Sequence, residues 1–252
     1  MKILAFFMGL LLIINSVAIS GTIDPAVPDE KYIEYGSKFD HTGEVVCYDS
    51  QGMSVGSGVV YRPHWIITAA HVVNGMTNHS FVLDGKKYKI TQIICHPEYK
   101  ENLWGYHDIA LCFVEEHIDI SKYPDLYEDS DEAGKVCAIT GMGFTGNFNT
   151  GVKIKDYKKR AGSNMVDKTE RNTLVCSPSR PSQKSTELEY LIASGDSGGG
   201  LFINNKLAGI NSSVMAVDGK PNSNYGDESS HTRVSLYSKW IKKETETSNE
   251  KK

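Results

Sequence analysis

Apolar and β-branched residues come in short runs along this chain: Glu44–Tyr48, Val59–Tyr61, Trp65–Thr68, Phe81–Leu83, Tyr88–Cys95, Ile109–Val114, Val136–Thr140, Leu174–Cys176, Tyr190–Ile192, Leu201–Ile203, Leu207–Ile210 and His231–Leu236. Turn pairs such as Asp84-Gly85, Asn204-Asn205 and Asp218-Gly219 separate them. No long helical period alternates with the runs, so a parallel α/β sheet is disfavoured and an all-β fold of antiparallel strands is expected. A polar break from Asp119 to Gly134 divides the strands into two groups of similar size and reads as the connection between two sub-barrels.

The chain ends read differently. An apolar run from Ile3 to Ile14 follows Lys2 and is followed by small residues up to Ser20, which predicts a signal peptide over 1–20 with cleavage after Ser20. The run falls short of the ~20 apolar residues of a membrane span, so no stable anchor is expected and the product is read as secreted or periplasmic. Residues 21–39, with Pro25 and Pro28, are expected to lie over the surface as an N-terminal segment and candidate propeptide. The domain proper is assigned to 40–241. Leu236, Tyr237, Trp240 and Ile241 fall on one face of a short closing helix, and 242–252 form a polar tail.

Composition narrows the classes further. The 252 residues carry 27 Lys and Arg against 31 Asp and Glu, a net charge of −4 with no long basic tract, so nucleic acid is not an expected partner. The basic stretch Lys153 to Arg160 is read as a solvated loop, and Asn78-His79-Ser80 and Asn211-Ser212-Ser213 match glycosylation sequons. The five cysteines, Cys47, Cys95, Cys112, Cys137 and Cys176, contain no C-x-x-C pair and lie in apolar runs, which favours buried thiols over a disulfide scaffold. Cys95-His96 and His107 are not at ligand spacing, so neither a metal nor another cofactor is expected.

Three strings carry chemistry: Thr68-Ala69-Ala70-His71, Asp108-Ile109-Ala110-Leu111 and Gly195-Asp196-Ser197-Gly198-Gly199-Gly200. A serine hydroxyl attacks poorly until an imidazole takes its proton, and the imidazole needs a carboxylate to fix its tautomer. The glycines let the backbone turn sharply, so that the amides of Gly195 and Ser197 converge on a developing oxyanion. Each residue alone has a structural explanation; the combination in the order His, Asp, Ser is what points to catalysis. Gly195 to Gly199 also matches the nucleophile elbow of α/β-hydrolases, with Asp227 and His231 downstream, but the upstream sequence lacks the helices which that sheet demands.

On these strings the chain resembles the trypsin/chymotrypsin-like serine endopeptidases from about Gly56 to Ile241. The segments Ile93 to Tyr99, Cys137 to Gly143 and His231 to Ser235 through Trp240-Ile241 are similar to the family's stretch before the catalytic Asp, its second-barrel start and its closing strand and helix. The resemblance implies two antiparallel six-stranded barrels with the site between them, acting on protein or peptide substrates. Ser197 would be the nucleophile, His71 the base and then the acid, Asp108 the orienting carboxylate, and Ser212 a substrate-backbone contact. Leu191 would lie at the base of the specificity pocket and Val214 and Ser229 on its walls, favouring small or medium apolar side chains, while Asp227 stands near enough in sequence to reach inward. The family's Ile-Val-Gly-Gly-like start is missing, Lys31 to Gly36 being a poor match, and Val72, Ala193 and Ile203 stand where extracellular members often carry Cys. The rival expectations are a catalytically silent homologue that binds through its cleft and a zymogen awaiting cleavage.

Overall fold

The computed structural model describes residues 21–50, 52–103, 106–154, 156–183 and 186–247. The expected leader, 1–20, and the last five residues of the expected tail lie outside the described residues.

Six strands close into a barrel: β2 (Thr42–Tyr48), β3 (Met53–Arg62), β4 (Trp65–Thr68), β5 (Thr77–Leu83), β6 (Lys86–Cys95) and β7 (Ala110–Val114), in the ring order β2-β3-β4-β7-β6-β5. A two-residue β1 (Thr22–Ile23) and a helix α1 (Asp29–Gly36) precede them, and a single helical turn α2 (Ala70–Val73) follows β4. Every neighbouring pair in the ring is antiparallel. Alternation sends Val45, Val59, Ile67, Phe81 and Leu111 into a core without solvent access. The β5–β6 hairpin turns on Asp84 and Gly85, both at positive φ (48° and 81°), the geometry that matches the twist of the flanking strands.

The second half is a seven-stranded antiparallel sheet rather than a closed ring of six, in the order β11-β8-β15-β16-β17-β13-β12. Its members are β8 (Val136–Gly141), β11 (Arg160–Met165), β12 (Lys168–Glu170), β13 (Thr173–Cys176), β15 (Gly200–Ile203), β16 (Lys206–Ala216) and β17 (Asp227–Arg233). A smaller sheet, β10-β9-β1-β14, joins β9 (Thr145–Asn147), β10 (Gly151–Ile154) and β14 (Tyr190–Leu191) to β1. Asn204 and Asn205, at φ 51° and 60°, turn the β15–β16 hairpin as their sequence signal predicts.

Each apolar run lands on a strand, although the last leaves β17 at Arg233 for a 3-10 turn, Val234–Leu236, and then the helix α3 (Ser238–Thr247). That helix takes up residues 242–247 of the segment read as tail. The strands without an apolar signal are β1, β9, β10, β11 and β12. In β11 the buried positions are Arg160, Ala161, Gly162 and Asn164, small or polar residues with assigned partners, which no hydrophobic pattern reveals.

The N-terminal segment departs most from expectation. Instead of lying over the surface, Thr22 and Ile23 are buried, paired with β14 on one side and β9 on the other. Pro28 precedes α1, whose first turn carries Asp29 and Glu30, charges that suit the helix N-terminus. Tyr32 is fully buried, and Asp29 receives two 2.6 Å hydrogen bonds from Arg160, which also holds Asp156 at 2.9 and 2.7 Å. Arg160 is 1% exposed, and Lys159 donates to the Phe39 carbonyl at 3.0 Å, so the end of the basic stretch is structural, not a solvated loop. Asn211, in one sequon, is fully buried and hydrogen-bonded, which leaves no access for a glycan. All five cysteines are free and all but Cys95 are buried.

Candidate active site

β4 delivers the chain through extended Ala69 into α2, which places His71 in its only turn. Asp108 sits just before β7, the barrel neighbour of β4. The His71 backbone N–H donates to Asp108 Oδ1 at 2.9 Å, and His71 Nδ1 lies 2.8 Å from Asp108 Oδ2. An ionised carboxylate only accepts, so the Nδ1 position carries the proton and Nε2 is left as the acceptor. The second half supports the same carboxylate: Ser212 Oγ donates to Asp108 Oδ2 at 2.6 Å, and Thr232 Oγ1 to the Asp108 carbonyl at 2.9 Å. Burial alone would push the Asp108 carboxyl up, but the hydrogen bonds from His71 and Ser212 outweigh it and hold it below its ordinary value. The aspartate side chain is 3% exposed, the histidine 35%, so the pair opens to solvent on the imidazole side.

Ser197 lies on a turn between two left-handed glycines, Gly195 (φ 89°) and Gly198 (φ 88°). The first barrel grips this turn through β3: the Ser57 N–H donates to the Ser197 carbonyl at 2.7 Å and Ser57 Oγ to the Gly195 carbonyl at 2.8 Å. The Ser197 hydroxyl makes a long contact, 3.5 Å, to the Ser212 carbonyl. His71, Ser197, Ser212 and Val214 line one pocket of about 290 Å³, with Ile192, Ala193, Ser194, Ser213 and Pro221. A second, of about 250 Å³, opens on the other side of His71 and Asp108 against Tyr99, Glu101 and Leu103.

The remaining sequence-derived pocket residues fall elsewhere. Leu191 is fully buried opposite Thr22 in the small sheet, and Ser229, across from Val214, donates to the Cys176 carbonyl at 3.2 Å and meets His231 Nε2 at 2.9 Å. Neither lines the pocket in front of Ser197. Asp227 does not reach inward; its carboxylate accepts from the Asn222 and Ser223 backbone N–H groups at 3.1 and 2.8 Å.

Asp196 has a partner that sequence reasoning missed. It is fully buried and receives the Tyr190 hydroxyl at 3.0 Å, the Ala193 and Gly143 N–H groups at 3.3 Å each, and the backbone N–H of Gly21. Among the described residues no lysine or arginine pairs with it, and burial raises its pKa to about 6 despite these donors. Lys31 to Gly36, considered as a match to the family's N-terminal sequence, lies within α1; Gly21 is the residue that reaches Asp196. A Cβ at residue 21 would sit 2.0 Å from the Tyr190 ring, so this approach requires glycine. The one available signal was the junction itself, Ser20-Gly21.

Residues 38–241 match the family model for trypsin. Among curated proteins the chain is 24% identical to human kallikrein-4 over 209 residues, 76% of this chain and 78% of the relative, and 28% identical to trypsin of Saccharopolyspora erythraea over 206 residues, 72% and 86% of the two. Among solved structures it superposes on HL collagenase with a TM-score of 0.65 at 18% identity, covering 82% of this chain and 94% of that one. Mouse neuropsin gives a TM-score of 0.61 at 19% identity, over 80% and 93%. The chain belongs to the trypsin-like serine protease family.

Proposed function

We propose that the protein is an exported serine endopeptidase that hydrolyses peptide bonds through an acyl-enzyme. The observation that carries this is the Ser212–Asp108–His71 hydrogen-bond chain, which leaves one imidazole nitrogen facing the pocket that also holds Ser197. Ser197 Oγ attacks the scissile carbonyl while His71 Nε2 takes its proton. The oxyanion is met by the amides of Gly195 and Ser197. His71 returns the proton to the leaving amine, and water then repeats the sequence to release the acid. The contact between hydroxyl and imidazole closes as substrate binds, as catalytic hydrogen bonds often do. Val214 and Ile192 narrow the pocket and favour small or medium apolar side chains before the scissile bond.

Activation follows from the Asp196 contacts. Cleavage after Ser20 converts the Gly21 amide into an ammonium at the place where its N–H already meets the Asp196 carboxyl. The buried carboxylate then gains a counter-charge, and the turn carrying Ser197 is fixed without further processing. The candidate propeptide is thus part of the folded domain.

Fluorophosphonate labelling of the protein beginning at Gly21, with Ser197→Ala as control, tests the reading. We expect labelling that the substitution abolishes, and peptide turnover lower by ~10⁴ to 10⁶ in the same variant. Wild-type protein that neither labels nor cleaves any member of a peptide panel would instead make the cleft a binding surface.

A further inference from the structure

His96, Glu98 and His107 are not at metal-ligand spacing along the chain, but the fold brings them together. β6 ends at Cys95, and the His96 N–H continues the ladder to the Ile109 carbonyl at 3.0 Å. The chain then leaves the sheet and returns through His107, a non-glycine residue at φ 52°, directly before Asp108. This brings two imidazoles face to face, 5.1 Å between centroids and 10° from parallel, with the Glu98 carboxylate 3.7 Å from His107 Nδ1. One ligand atom from each of the three lies within 4.8 Å of the others.

We propose that His96, Glu98 and His107 form a binding site for a divalent, imidazole-preferring cation of the Zn²⁺ type. Two histidines and a carboxylate, with water in the fourth position, make up a common zinc coordination set, and imidazole selects Zn²⁺, Cu²⁺ or Ni²⁺ over Mg²⁺ and Ca²⁺. Metal–nitrogen bonds of ~2.0 Å require the ligand atoms to close to roughly 3.3 Å in a tetrahedral site. Glu98, its side chain 70% exposed, is free to swing in, and the two rings tilt out of parallel so that both in-plane lone pairs meet the ion. The rings are supported from behind. Tyr237 and Trp240 pack edge-on against His96 with centroids 5.0 and 4.9 Å away, and the Tyr237 hydroxyl lies 3.0 Å from His107 Nδ1 while accepting from Asn172 at 2.8 Å. Such packing behind the imidazoles restrains their orientation.

A cation here ties together the two ends of the segment whose Tyr99, Glu101 and Leu103 line the second pocket beside His71. The site stands independently of the proposed peptidase activity, since none of its ligands belongs to the reacting residues.

The test is Zn²⁺ titration by calorimetry, with Co²⁺ absorption as a geometric probe, on the Ser197→Ala protein beginning at Gly21. We expect one equivalent bound, visible bands of low-symmetry Co²⁺, and affinity at least tenfold weaker in each of His96→Gln, His107→Asn and Glu98→Gln, with His71→Gln unchanged. Asn tolerates the left-handed region, and Glu98 is exposed, so two of these variants keep the fold, which circular dichroism verifies. No binding, binding unaltered by the three substitutions, or binding lost in His71→Gln alone would overturn the proposal.

Discussion

The two halves of the molecule bury different things. Among the described residues the closed barrel buries mostly apolar side chains with the hydroxyls of Thr42, Ser57, Thr68 and Ser80, and its one buried charged side chain is Asp108. The second half buries Glu132, Arg160, Glu189, Asp196 and Asp227. Arg233 holds Glu132 through two hydrogen bonds of 2.9 and 2.7 Å, Arg160 holds the N-terminal helix, and Asp196 takes the amide of Gly21. The barrel thus carries His71 and Asp108, with Ser212 and Thr232 of the second half bracing the aspartate, while the half that carries Ser197 is stitched to a segment far away in sequence.

Four experiments press on that contrast. The largest effect is expected from Asp108→Asn, which keeps the shape but removes the charge that fixes the His71 tautomer; kcat should fall by ~10⁴ in steady-state assays while the melting temperature changes little. Next is Arg160→Ala, which leaves Asp29 and Asp156 without their cation. Asp29 and Asp156 keep 36% and 22% of their side chains exposed, so the loss falls below the roughly 3–5 kcal/mol of a fully buried pair; urea unfolding should show it, with Ser197 labelling declining along with stability. If labelling survives intact, the nucleophile turn does not rely on the docked helix.

Third, one or two residues added ahead of Gly21 should exclude the ammonium from Asp196. Turnover is expected to drop by ~10² to 10³, about what losing an oxyanion donor costs, with binding of reversible inhibitors at the imidazole side preserved. Equal turnover with and without the extension would show that Asp196 needs no counter-charge. The smallest effect concerns pH. Burial lowers the pKa of His231, fully enclosed between Asn211 and Ser229, to about 3. The unfolded chain takes up the proton near 6.5 and the folded one does not, so this residue withdraws stability as pH falls from about 6.5 towards 3. A His231→Asn protein should lose less melting temperature over that interval than the wild type.

The barrel was legible because its signal is local. Val45, Ile67 and Leu111 alternate with less buried neighbours or cluster in runs, and Asp84-Gly85 adopts the φ values its residue types favour. β11 was not, since Gly162 and Asn164 are buried for reasons held by other strands: a Cβ at 162 would strike Tyr190, and the Asn164 amide donates to the Tyr190 carbonyl at 3.1 Å. His71, Asp108, Ser197 and Ser212 were legible through motif and order, and the structure brings them together. Leu191 and Ser229 were named from position relative to the motif; they pair with Thr22 and Val214 and are not among the residues that line the pocket in front of Ser197.

By itself the sequence determined the all-β class and the three strings that hold His71, Asp108 and Ser197, because each is written in neighbouring residues. Only the tertiary structure decided that Gly21 meets Asp196, that Arg160 is a buried clamp, and that His96 and His107 stack. Those are pairings of polar groups across long stretches of chain, and a polar side chain carries no mark of its partner until folding removes the water that would otherwise satisfy it.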